Sequence, residues 1–195
     1  DVAAEASDRA SRAPRARERS TAARWSRRFA LASLVIGMAV GAFLLWPQDS
    51  TTVTVEDGTT RVVDLGGGTT ARLVGDATLT YTPKSGDQKQ RVTLRNGRAF
   101  FDVTPRTDGA SFVVETPTAT ATVLGTQFGV TTTADTTQVV LASGEVRVGA
   151  AQENEASSVV LTSGQKSWVA KGGAPASPTP TDLTTALDWT GLFLF

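Results

Sequence analysis

Hydrophobic and polar positions follow two regimes along the chain. From Phe29 to Trp46 the sequence reads FALASLVIGMAVGAFLLW, 18 residues in which Ser33 is the one clearly polar side chain. Beyond Gln48 the pattern changes to short runs of alternating β-branched and polar residues: 52–56, 60–65, 69–74, 78–82, 91–95, 98–103, 111–116, 119–124, 126–132, 137–142, 145–148, 158–162 and 166–170. An unbroken apolar stretch of this length predicts a membrane helix, whereas alternation with period two predicts strands buried on one face. Asp57-Gly58, Asn96-Gly97, Ser143-Gly144 and Ser163-Gly164 punctuate the alternating region as turn dipeptides. The predicted fold is mainly β: an antiparallel β-sandwich, jelly roll or β-roll, preceded by one transmembrane helix.

One face of each strand supplies the expected core: Val62, Leu65, Leu73, Leu79, Tyr81, Val92, Leu94, Phe100, Val113, Val123, Phe128, Val130, Val140 and Val146. Phe100 and Phe101 are adjacent, so within a strand they point to opposite faces. One of the two therefore requires a cover outside the main core, from a second sheet or a partner.

Charge orients the chain across a bilayer. Residues 1–28 hold eight Arg against four acidic residues, a net of +4; the 11 remaining Lys/Arg and 15 remaining Asp/Glu follow the apolar run, a net of −4. Arg24, Arg27 and Arg28 crowd the N-terminal side of that run, Trp25 and Trp46 flank it, and Pro47 ends it. A helix of 18 residues is about 27 Å long, close to the hydrocarbon thickness. The positive-inside rule then leaves 1–28 in the cytoplasm as a basic stub, 29–46 as the anchor and the remainder outside the membrane. LLWPQDS lacks the small residues of a signal-peptide cleavage site, and the run has no polar stripe that would mark a core helix. Ser33, Gly37 and Gly41 recur four apart, a spacing that lets two membrane helices pack closely into a dimer.

The expected organisation continues with a β domain over 49–171. A Gly/Pro/Ser/Thr-rich linker follows over 172–182 (GGAPASPTPTD), and an apolar segment over 183–195 ends in LDWTGLFLF. That segment reads as the start of a truncated C-terminal module.

Composition narrows the chemistry. Cys and His are both absent, which removes thiolate nucleophiles, disulfides, Cys/His metal sites and the commonest general base. Phosphate-binding glycine loops and nucleophile elbows are missing; Gly66-Gly67-Gly68 lies between strands and reads as a turn. The carboxylates are scattered, so neither a metal, a cofactor nor a catalytic pair is expected. The basic stretch beside a membrane span reads as a topology signal, not as a site for direct nucleic-acid binding.

The stretches RVTLRNGRAFFDV (91–103), SFVVET (111–116), VLGTQFGV (123–130) and QVVLASGEVRV (138–148), in this order after a membrane span, resemble the periplasmic signature of the FecR family of sigma-factor regulators. The run 61–83 resembles the family's earlier strands, and the likeness covers about residues 53–170. It implies an inner-membrane, single-pass regulator of the anti-sigma type whose β domain is periplasmic. Such a regulator relays a signal from the signalling domain of an outer-membrane transporter, often one for iron transport, to an extracytoplasmic-function sigma factor on the cytoplasmic side. LDWTGLFLF resembles the start of the family's C-terminal module, which docks on the transporter; Trp189, Leu192, Phe193 and Phe195 are the partner-binding residues this implies. Three features depart from the pattern: Gly129 stands where Asn is frequent, the linker at 172–182 is long, and the helical sigma-binding domain is not in this sequence.

Some members of the family cleave themselves at a Gly-Thr bond in an LGT motif, which corresponds here to Gly125-Thr126. By that reading the Thr126 hydroxyl attacks the Gly125 carbonyl in an N→O acyl shift, helped by backbone strain at the glycine. The competing reading is that Gly125 forms a bulge between two strands. The leading expectation overall is a regulator without classical catalysis. Two alternatives stand beside it: a membrane-anchored module that binds an envelope polymer or another protein with no sigma factor, and a carbohydrate-active β-sandwich enzyme. The scarcity of aromatic residues in the β region weighs against sugar binding.

Overall fold

A computed structural model describes residues 50–82, 89–105, 110–151 and 157–192. The predicted stub, membrane helix and Ser33/Gly37/Gly41 face lie outside the described residues. Twelve strands run in chain order: β1 (Thr51–Val55), β2 (Thr60–Gly66), β3 (Thr69–Tyr81), β4 (Gln90–Val103), β5 (Phe112–Glu115), β6 (Ala119–Val123), β7 (Thr126–Thr132), β8 (Thr136–Ser143), β9 (Glu145–Ala150), β10 (Ser158–Thr162), β11 (Gln165–Ala170) and β12 (Thr179–Pro180). A one-turn helix, α1 (Leu183–Ala186), and a 3-10 turn (Asp188–Thr190) follow.

The frame is the long hairpin β3–β4. Where the alternation predicts four strands, 69–74, 78–82, 91–95 and 98–103, there are two, each bent in the middle. Asn96-Gly97 is therefore an irregularity inside β4 and not a hairpin turn. The β3–β4 register shifts between Val74 and Thr78, and Gly97 sits opposite with φ +93°. A Cβ there would lie 2.5 Å from the Ala77 Cα, so the bend accepts glycine on both conformational and steric grounds.

This bend lets one hairpin serve two layers. The N-terminal half of β4 pairs with β5, continuing through β6, β9 and β10, and β1 lies on the far side of β3. The C-terminal half of β4 pairs with β7, continuing through β8, β11 and β12, with β2 beyond β3. The single curled sheet folds over so that β8 and β11 lie across from β9 and β10. One pair, β4–β5, is parallel, which departs from the all-antiparallel expectation.

Between the layers lies one core, in which Phe101 stacks with Phe128 (ring centroids 5.3 Å apart) and tilts against Phe112 (5.7 Å). Of the expected core residues, Val62 is 57% exposed. The β2 register directs Val63 and Leu65 inward, and an even-numbered residue in the same strand must then face out. Phe100 and Val140 are buried, but in a separate cluster on the outer side of the second layer.

A buried hydroxyl cluster ties the layers at one end. Thr137 Oγ1 lies 2.8 Å from Thr116 Oγ1, 2.7 Å from Thr118 Oγ1 and 2.8 Å from Thr132 Oγ1. Thr118 also reaches the Val169 carbonyl at 3.0 Å. Threonine patterning in the strands thus serves the interior as well as the surface, because each hydroxyl of this cluster has a partner.

Candidate functional site

The outer face of the second layer is organised by one register row. Val62, Arg72, Phe100, Gly129, Val140, Lys166 and Thr179 lie side by side across seven strands. Apolar residues in the middle of this row would be exposed on a bare sheet. They are covered by the chain's own C-terminal segment.

That segment is held by local hydrogen bonds. Asp182 caps α1: its carboxylate accepts from the Thr184 backbone N–H at 2.9 Å and the Thr184 hydroxyl at 2.7 Å, and from the Thr185 hydroxyl at 3.2 Å. The Thr184 bonds, its hydroxyl foremost, hold the Asp182 carboxyl below its ordinary pKa of 3.8. After α1 the chain tightens into the 3-10 turn, where the Thr190 hydroxyl donates to the Leu187 carbonyl at 2.6 Å. Gly191, with φ +67°, ends the turn.

Leu187 is fully buried in the cluster with Phe100 and Val140, and Leu183, Ala186, Ala142 and Trp189 pack around it. Burial of one such leucine is worth about 2 kcal/mol. Trp189 is half-buried; its Nε1–H donates to the Ala186 carbonyl at 3.1 Å, and the Arg98 guanidinium lies 5.8 Å from its ring centroid. The cover that the Phe100–Phe101 pair demanded is therefore neither a second sheet nor a partner molecule. Residues 172–182 precede it along β11: Ala176 N–H donates to the Trp168 carbonyl, the Ser167 hydroxyl to the Ala176 carbonyl, and β12 pairs with Gln165 and Lys166.

Of the residues expected to bind a partner, Trp189 and Leu192 lie on this face, and Phe193 and Phe195 fall outside the described residues. Leu192 is 46% exposed. It borders a groove of about 350 Å³ with Val62, Thr70, Arg72, Phe100, Asp102 and Gln127. Sequence reasoning missed Arg98, Leu187 and the role of Gly129, since all three matter only once the segment folds back. The signal available was Gly129 itself, a glycine in the middle of a strand.

The Gly125-Thr126 junction lies elsewhere, between β6 and β7. A Cβ on Gly125 would fall 2.4 Å from the Pro105 Cα, and the Gly125 carbonyl packs against Gly144. The glycine is thus required by the close approach of another chain segment. It does not belong to the left-handed glycines, so backbone strain finds no support there. The Thr126 side chain is buried and its hydroxyl donates to the Glu145 carbonyl at 3.0 Å. Among the described residues no group of three or more Asp or Glu gathers as a metal site would require.

The model of the family described as FecR protein matches residues 51–147, from β1 into β9. The chain belongs to the FecR family. The family match ends before β10, so the last three strands and the docked segment lie beyond it. Two crystal structures of an inferred anti-sigma factor from Parabacteroides distasonis share the fold, with TM-scores of 0.63 and 0.62 at 24% identity. Each alignment covers 72% of this chain and 64% of the other, so this FecR-family chain spans under two thirds of the length of those relatives. No curated protein is significantly similar to it in sequence.

Proposed function

We propose that this FecR-family chain is a single-pass regulator of the anti-sigma type in the cytoplasmic membrane. It works by binding, without classical catalysis. Residues 29–46 anchor it, the β domain stands in the periplasm, and the cytoplasmic side controls an extracytoplasmic-function sigma factor. The signal enters through the C-terminal side, from the signalling domain of an outer-membrane transporter. The observation that carries this reading is the FecR match over residues 51–147, directly after an apolar span whose N-terminal flank is arginine-rich. The docked aromatic segment supports the C-terminal side as the entry point, since it lies on the surface and Leu192 in it is an exposed apolar residue.

The Gly125-Thr126 bond stays closed in this reading, as a packed junction, and mass spectrometry of the regulator from signalling cells should show one intact chain. The relay is tested by affinity capture of the membrane-extracted regulator, encoded with its natural upstream sequence, from its own cells. Co-capture of a sigma factor, together with altered transcription from that factor's promoters on deletion of the regulator, is expected. Deletion without any transcriptional change would leave an anchored module that binds the envelope.

A further inference from the structure

Beside the covered row on the outer face of the second layer runs a second register row. It passes through Arg98 of β4, Thr131 of β7, Gln138 of β8 and Trp168 of β11. Ser167 and Val169 are fully buried on either side of Trp168, so its indole points outward, and it is 49% exposed. Neighbouring strands are about 4.8 Å apart, so the four positions span about 14 Å. Thr131 and Gln138 are half-buried, and their side chains make no hydrogen bond among the described residues.

Arg98, at the other end of the row, is exposed. Its guanidinium lies over the Trp189 ring, and among the described residues no carboxylate pairs with it. Asp188, next to Trp189 in the chain, accepts from the Trp189 backbone N–H instead. The returning segment thus holds a cation at one end of the row, and β11 presents an indole at the other.

We infer that this row binds a glycan strand bearing carboxylates, its sugar rings laid across the strands from Trp168 to Arg98. An indole face takes the apolar C–H face of a sugar ring, and a hydroxyl and an amide exchange hydrogen bonds with sugar hydroxyls. An unpaired guanidinium takes a carboxylate on two parallel bonds. Lys166 stands two residues before Trp168 on the same face of β11 and adds positive charge. This charge complementarity selects an acidic glycan. An apolar partner would desolvate Arg98, Thr131 and Gln138 without replacing their bonds to water. The scarcity of aromatic residues in the β region is offset here, because Trp189 reaches the face from beyond it.

The probe is peptidoglycan glycan strands stripped of their peptides by an amidase, which carry a lactyl carboxylate on every second sugar. That choice rests on the periplasmic reading. End-labelled strands should bind the detergent-extracted full chain in an anisotropy titration. Trp168→Ala and Arg98→Gln should each weaken binding about tenfold, the worth of one stacking contact or one charge-assisted hydrogen bond. Trp168→Phe should retain most of the affinity. Val160→Ala, at an exposed apolar residue of β10, should leave it unchanged. Trp168 and Arg98 are exposed, so their variants should keep the thermal midpoint of the β domain. Unaltered affinity of Trp168→Ala would overturn the inference, as would equally tight binding of polyglutamate or no binding of the strands. No sigma factor enters the titration, so its failure and that of the relay reading are separable.

Discussion

A Cβ built on Gly129 falls 2.5 Å from the Cδ2 of Leu187 and 3.3 Å from a ring carbon of Trp189. The strand therefore has a hole where the returning segment places the fully buried Leu187 side chain. This relationship joins positions nearly sixty residues apart, and it is the hinge of the molecule's C-terminal side.

Gly129→Ala should accordingly displace the segment while leaving the β domain folded. Overpacking of this kind costs about 1–3 kcal/mol. The expected result is faster proteolysis between residues 182 and 192 with little change in the thermal midpoint of the domain. Leu187→Ala should give the same proteolytic pattern from the other partner, and the double variant should be less than additive.

The β3–β4 bend is a global element, in contrast. Gly97→Ala would force both a left-handed backbone and a Cβ 2.5 Å from the Asp76 carbonyl oxygen and the Ala77 Cα. A loss of about 3 kcal/mol or more is expected, read as a lower denaturation midpoint of the whole β domain.

Thr137→Val tests the buried hydroxyl cluster. Valine preserves shape but removes the hydroxyl that Thr116, Thr118 and Thr132 share, leaving each with a backbone carbonyl as its acceptor. A net hydrogen bond lost in the interior costs about 1 kcal/mol, so chemical denaturation should show a clear loss. A control at Thr54, exposed on β1, should change stability by less than about 0.5 kcal/mol.

Acid should loosen the cap of α1. Because Thr184 lowers the Asp182 pKa below 3.8 in the folded segment, the cap's contribution is complete above that value and is lost as pH falls through the depressed folded pKa. The Thr184 amide resonance should titrate with a midpoint below 3.8, and Asp182→Asn should abolish that transition.

The extent to which the fold was legible follows from what kind of information each feature needs. Alternation placed nearly every strand, because burial of one face is a local, period-two property. It misread Asn96-Gly97 as a turn, since a glycine suited to a hairpin is equally suited to a bulge. It placed Val62 inward because Val62 and Val63 are identical in type, and only pairing with Arg72 and Ala71 decides between them. The FecR signature was readable because its motifs are contiguous. The Gly125-Thr126 pair was readable as a motif, but its close neighbour Pro105 comes from a different turn of the chain.

By itself the sequence determined the strand-rich composition, the charge asymmetry about an apolar span, the lack of thiol and imidazole chemistry and the family. Tertiary structure decided that Ser143-Gly144 and Ser163-Gly164 carry the chain between layers instead of closing hairpins. It also decided that β4 pairs in parallel with β5, and that Phe100 is covered by Leu187 and Trp189. The physical reason is that these depend on which distant surfaces meet. A strand's own pattern specifies that it must bury a face, and the cover for that face is chosen by the rest of the chain.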